Sequence, residues 1–91
     1  MFCQKGSTAL ADPNNPGSLT FSGLDRDNLI LRVQGNISDC YVELTFQGGS
    51  SFRVYGVVPE FFHVPANSSS VSYSVGGNSS ARVSLALGMN I

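Results

Sequence analysis

Two tyrosines, an arginine and a glutamate are the side chains of this chain best suited to hold a ligand. Tyr41 precedes Glu43 by two residues, and Arg53 precedes Tyr55 by two residues. Because side chains two residues apart on a β-strand point to the same face, this spacing predicts one shared surface. Tyrosine rings can stack on a sugar while Arg53 and Glu43 bond its hydroxyl groups. The same residues also suit a protein interface or ordinary cross-strand pairing.

A second polar group is the run Asp25-Arg26-Asp27-Asn28. Alternate carboxylates could bind Ca²⁺, which prefers about six to eight oxygen ligands, but the glycine and glutamate of an EF-hand loop do not follow. Arg26 also lies between the two aspartates. We interpret the run as a turn capped by its own side chains, and we predict no metal site.

One histidine and several serines are the remaining candidates for catalysis. His63 lies between Phe62 and Val64, and the serines occur in runs at 68–70 and 79–80 without a Gly-x-Ser-x-Gly motif. We therefore predict no catalytic residue, no cofactor and no enzyme. A hydrolase that uses His63 and a serine is the last of three functional hypotheses, after the two given at the end of this subsection.

The two cysteines allow one disulfide, between Cys3 and Cys40. Cys40 shares its predicted face with Val42 and Leu44, which favours a small buried side chain with a free thiol. With no Cys-x-x-Cys pair, zinc binding has little support.

The segment 56–62 contains adjacent apolar residues that cannot all face one core. Some of its side chains must be exposed, or covered by the N-terminal segment or by another chain. We predict an interface here, formed by Val57, Val58, Phe61 and Phe62.

The elements that must position these residues are β-strands, because apolar and small polar residues alternate almost from Leu29 to the end. Strands are predicted at 19–22, 29–34, 40–47, 51–58, 61–64, 71–75 and 81–87. No window shows helical periodicity. Short strands every 8 to 12 residues predict an all-β fold, a small antiparallel β-sandwich of about seven strands, jelly-roll or Ig-like, without substantial helix.

Matching apolar faces predicts which strands are neighbours. The segments 29–34, 40–47 and 51–58 form a meander, with a loop at 36–39 and a three-residue turn at 48–50 that puts Glu43 beside Tyr55. The segments 71–75 and 81–87 form a second hairpin, for which two registers match equally well.

Residues 1–16 are predicted to be an N-terminal arm, and residues 17–91 the β-sandwich domain. The run Asp12-Pro13-Asn14-Asn15-Pro16 disfavours regular structure. We expect either a mobile terminus or a segment that docks on a neighbouring subunit through Phe2 and Leu10.

The composition excludes several classes of function. Only 12% of the 91 residues are charged, and the formal net charge is −1 without clusters of lysine or arginine. We therefore expect no nucleic-acid binding, and no apolar stretch predicts a membrane span. Weak charge repulsion between copies favours self-association.

The sparsely charged composition and the all-β layout of residues 17–91 resemble those of small structural proteins of virus particles. Among such proteins, the chain most resembles capsid decoration or fibre-type modules of tailed bacteriophages in composition and strand layout. This resemblance implies a virion protein made in the host cytoplasm without a signal peptide. Its partners would be protein subunits of a lattice or copies of itself, including a homotrimer. The alternative is a carbohydrate-binding or adhesin module, or an extracellular domain of a longer precursor.

Overall fold

The computed structural model describes residues 2–21, 28–65 and 67–90, which form eight strands and no helix. The strands are β1 (Phe2–Ala11), β2 (Gly17–Thr20), β3 (Leu29–Gly35), β4 (Tyr41–Phe46), β5 (Ser51–Tyr55), β6 (Glu60–His63), β7 (Ser70–Gly76) and β8 (Val83–Asn90). Each of the seven predicted segments overlaps one strand, and β1 is the eighth. The prediction of an all-β fold without substantial helix is confirmed over the described residues.

The strands form two antiparallel four-stranded sheets. Sheet 1 has the order β1-β8-β3-β6, and sheet 2 has the order β2-β7-β4-β5. Strands pair from the middle of the chain outward, β4 with β5, β3 with β6, β2 with β7 and β1 with β8. One long hairpin folded over into two sheets has this order, which is the jelly-roll form of the β-sandwich.

The core lies between the two sheets and is built from the inward face of each strand. Its largest fully buried side chains are Phe21, Leu29, Leu31, Leu44, Leu85 and Leu87. Inward and outward residues alternate along β4, where Val42, Leu44 and Phe46 are buried and Tyr41 is half-buried on the other face. This arrangement confirms the face assignments that the alternation predicts.

The predicted meander and the predicted final hairpin are wrong. β3 pairs with β8 and β6 rather than with β4, and β7 pairs with β4 and β2 rather than with β8. The connections at 36–40 and 77–82 therefore cross from one sheet to the other. Both arrangements place the same apolar residues inside, so face matching alone could not separate them.

The β4–β5 hairpin exists, but its register differs by two residues from the predicted one. Glu43 lies opposite Arg53, and Tyr41 lies opposite Tyr55. The connection spans the four residues 47–50 instead of a three-residue turn. A shift of two residues keeps every side chain on the same face of the sheet. Both registers therefore bury the same residues, and the sequence pattern cannot distinguish between them.

Residues 2–11 form an edge strand of sheet 1, so the expected irregular arm is wrong for this stretch. β1 pairs with β8 on both sides of an irregularity between Gln4 and Thr8. It adds little to the core, where it places Ala11 and the partly buried Ala9. The turn signals act only after β1, where Asp12 and Asn15 form an isolated bridge.

Candidate functional site

Tyr41, Glu43, Arg53 and Tyr55 lie together on the outer face of sheet 2, and we call them the tyrosine patch. The β4–β5 register pairs the two tyrosines and pairs the two charged residues. The tyrosine rings have centroids 5.7 Å apart and planes inclined by 46°. The structure thus brings together all four residues that the sequence singles out as stacking candidates.

Arg53 connects the patch electrostatically. Its Nε–H donates to the Glu43 carboxylate at 3.3 Å, and its guanidinium carbon lies 4.4 Å from the centroid of the Tyr41 ring. Interaction with the Tyr55 hydroxyl, followed by the Glu43 carboxylate, raises the pKa of Arg53 above its ordinary value. Arg53 therefore stays charged, and this charge is balanced by Glu43.

Gly76 provides the space for Tyr41. It lies opposite Tyr41 on β7, and a Cβ atom at this position would overlap the Tyr41 ring and hydroxyl. The sequence pattern predicts a strand at 71–75 and places Gly76 in the loop that follows, so it gives no sign of this contact. In the structure Gly76 is the last residue of β7.

The described residues that lie beside the patch on β4, β5 and β7 carry hydroxyl groups. Ser74 lies opposite Glu43 on β7, and Ser72 lies opposite Thr45. On the other side of β4, the Thr45 and Ser51 hydroxyls are hydrogen-bonded at 2.8 Å. The outer face of sheet 2 is thus polar around one aromatic and ionic cluster.

Exposed apolar side chains lie at and before β6, the edge strand of sheet 1 opposite β1. Val58 is 70% exposed, Phe61 53% and Val57 37%. The prediction that part of the segment 56–62 must be exposed is therefore confirmed. We call Val57, Val58 and Phe61 the apolar edge.

Phe2 and Arg32 extend the apolar edge across the outer face of sheet 1. The Phe2 ring lies 5.7 Å from the Phe61 ring, and the Arg32 guanidinium lies 5.1 Å from the Phe2 centroid. Phe2 fits there because Gly88 has no side chain, since a Cβ at Gly88 would collide with Phe2 and with the Cys3 backbone. Neither Arg32 nor Gly88 stands out in the sequence pattern.

The other two predicted interface residues lie elsewhere. Leu10 is 70% exposed on β1, at the opposite edge of sheet 1 from Phe61. Phe62 is half-buried and packs against the core, with its ring 5.1 Å from that of Phe52. Phe62 is thus already largely covered within the chain.

A recess of about 270 Å³ opens between the adjoining edges of the two sheets, β5 and β6. Three phenylalanine rings line it, those of Phe46, Phe52 and Phe62, together with Ser50 and His63. The Phe46 and Phe52 rings are stacked with centroids 6.0 Å apart. No side-chain hydrogen bond joins the exposed His63 to a serine or a carboxylate of the described residues.

Both cysteines are free. Cys40 is buried, and its thiol donates to the Ile37 carbonyl at 2.9 Å, whereas Cys3 is half-buried in β1. Cys3 lies in β1 of sheet 1, whereas Cys40 lies just before β4 of sheet 2. This finding confirms the buried free thiol predicted for Cys40.

The residues Asp25, Arg26 and Asp27 lie outside the described residues, while Asn28 is exposed. Within the described ranges, no three histidine, cysteine or acidic side chains group as metal ligands. None of the described residues forms a helix capable of crossing a bilayer.

Comparison of the chain with protein-family models, with curated proteins and with solved structures found no match. The function proposed for the chain therefore rests on its own residues and contacts.

Proposed function

We propose that the chain is a non-enzymatic assembly module that binds other protein subunits, beginning with copies of itself. The observation that carries this proposal is the apolar edge, where three large apolar side chains are exposed beside an edge strand. Aromatic and arginine side chains are enriched in the centres of protein interfaces, and Phe61 has Phe2 and Arg32 beside it.

The backbone of β6 offers a second means of association. β6 pairs with β3 on one side and ends sheet 1 on the other. An edge strand can add a strand from another chain through main-chain hydrogen bonds. Side chains of the apolar edge would then be buried with the added strand.

We further propose that this assembly belongs to a virus particle, as a decoration or fibre-type subunit. The jelly roll is an architecture that viral capsid domains share with lectins, so it supports this setting only by analogy of fold. The near-neutral, sparsely charged chain adds support, because little repulsion keeps its copies apart.

Sedimentation equilibrium from low to high micromolar concentration tests the self-association. We expect the mean mass of the wild-type protein to rise with concentration. The double variant Val58→Ser, Phe61→Ser should weaken association by about tenfold or more, since hot-spot truncations have effects of this size.

Tyr55→Ser is the matched control, because Tyr55 is similarly exposed at 62% but lies on the opposite sheet. A wild-type protein that stays monomeric throughout would refute the proposed self-association. Association weakened equally by the control would place the interface elsewhere. The particle setting is tested by gene neighbourhood, where capsid and tail genes would support it and an upstream, in-frame signal sequence would oppose it.

A further inference from the structure

We infer that the tyrosine patch binds a neutral carbohydrate, with one pyranose ring stacked on Tyr55. This inference concerns sheet 2 and does not depend on the assembly proposed for sheet 1. Tyr55 presents the most exposed aromatic ring among the described residues, at 62%. The apolar face of a sugar ring can cover such a ring, and the tyrosine hydroxyl remains available at its rim.

The groups that would bond the sugar hydroxyls already contact one another. Arg53 contacts the Glu43 carboxylate on one side and the Tyr41 ring on the other. Tyr41 in turn lies over Gly76. Groups that are already ordered lose less conformational entropy on binding, which favours a ligand as weakly held as a sugar.

The charge of the patch selects a neutral ligand. An isolated arginine would attract a sulfate, a phosphate or an acidic sugar, but here the Arg53 charge is paired with Glu43. The pair offers both donors and acceptors at one place, which matches sugar hydroxyl groups because each can donate and accept.

The surroundings favour a sugar over a protein partner. The neighbours across β4 and β7 are Thr45, Ser72 and Ser74, whose side chains are short and uncharged. Protein hot spots need apolar area that can be fully desolvated, and these residues provide little of it. A hydroxyl-lined strip beside an aromatic ring suits further units of an oligosaccharide.

Chemical-shift titration of the ¹⁵N-labelled full chain tests this inference. The probes are linear oligosaccharides of glucose, of galactose and of mannose, each added alone, with a sialylated oligosaccharide as the anionic comparison. We expect saturable shifts at amides of β4, β5 and β7 with at least one neutral probe. The sialylated probe should bind more weakly than that neutral probe.

Three variants locate the binding. Tyr55→Ala should weaken it by about tenfold, while Tyr55→Phe, which keeps the ring, should stay within about threefold of the wild type. Gly76→Ala should also weaken binding, because the new methyl group displaces the Tyr41 ring. Phe61→Ser should leave sugar binding unchanged, since it lies on the other sheet.

The inference fails if no neutral probe produces saturable shifts, if the anionic probe binds best, or if Tyr55→Ala has no effect. It also fails if the tyrosine patch is covered when copies of the chain associate, which would identify it as a protein interface. Failure of the assembly proposal would appear instead in the sedimentation of the wild-type protein and of the double variant Val58→Ser, Phe61→Ser, so the two outcomes remain separable.

Discussion

At the scale of single residues, two glycines within strands shape the two candidate surfaces. Gly76 makes room for Tyr41 on sheet 2, and Gly88 makes room for Phe2 on sheet 1. Neither glycine has a positive φ angle. Each is therefore required because it leaves space for a ring, and not because of its backbone conformation. An aromatic side chain can then lie flat on the sheet, where a larger neighbour would lift it into solvent.

The substitution Gly88→Ala should destabilise the protein by about 1–3 kcal/mol, as overpacking of a close contact does. The added Cβ meets the Cys3 carbonyl, which is backbone and cannot rotate away, so β1 must shift. Urea unfolding measures the loss, and hydrogen exchange should show faster exchange of the β1 amides.

Gly49→Ala is the matched control for this substitution. Its Cβ would meet the Phe46 carbonyl at 3.5 Å, which is an ordinary contact, and the backbone there is not in the left-handed region. Equal destabilisation by both substitutions would contradict the role assigned to Gly88.

At the scale of elements, the edge strands differ in how readily they accept a partner. β1 has an irregular register in its middle, which interrupts the row of backbone groups that another chain could pair with. β6 has a regular register with β3 and lies beside exposed apolar side chains. This contrast is why the proposed assembly surface is placed at β6.

The turn between β1 and β2 should weaken in acid. The Asp12 carboxylate accepts hydrogen bonds from the Asn14 backbone N–H and the Asn15 side-chain amide, each at 2.9 Å. These bonds favour the charged form and lower the pKa of Asp12 below the ordinary value of 3.8. Their stabilising effect is therefore complete above that value and is lost as the pH falls through the lower pKa of the folded state.

NMR titration of the Asp12 carboxyl carbon measures this pKa directly. We expect a value below 3.8, and we expect the contribution of Asp12 to the unfolding free energy to decrease as the pH falls from about 3.8 through that folded-state pKa. Asp12→Asn keeps an oxygen acceptor but has no charge, so the acid-dependent part of the loss should shrink. A measured pKa at or above 3.8 would contradict the hydrogen bonds described here.

At the scale of the whole molecule, stability comes from one core between two sheets. Leu85 is fully buried in β8, the strand that pairs with both β1 and β3. A change there affects packing across the sandwich, whereas a change at Leu10, on the outer face of β1, affects little of it.

We expect Leu85→Ala to lower the unfolding free energy by about 2–5 kcal/mol, because it leaves a cavity in the core. Leu10→Ala removes the same atoms from an exposed position and should change it by no more than about 0.5 kcal/mol. Urea unfolding at low protein concentration compares the two variants without interference from association. Similar losses in both would contradict the described core.

The alternation of the sequence by itself determined the all-β class, seven of the eight strands and the face to which their side chains point. It also brought Tyr41, Glu43, Arg53 and Tyr55 to one surface, because strand geometry alone sets which face each side chain occupies. The prediction failed for β1 because its inward residues are small and give a weak apolar pattern. The turn-forming residues at 12–16 predict irregular structure before them, but they act only after β1 ends.

Apart from the β4–β5 hairpin, only the tertiary structure decided which strands are neighbours, and it alone decided which residues lie opposite one another. Hairpins between consecutive strands and crossings between sheets bury the same apolar faces, and a register shift of two residues leaves those faces unchanged. The pairing of Glu43 with Arg53, and of Tyr41 with Gly76, depends on this choice. This pairing is decided by how all eight strands pack around one core. No short stretch of the sequence carries that information.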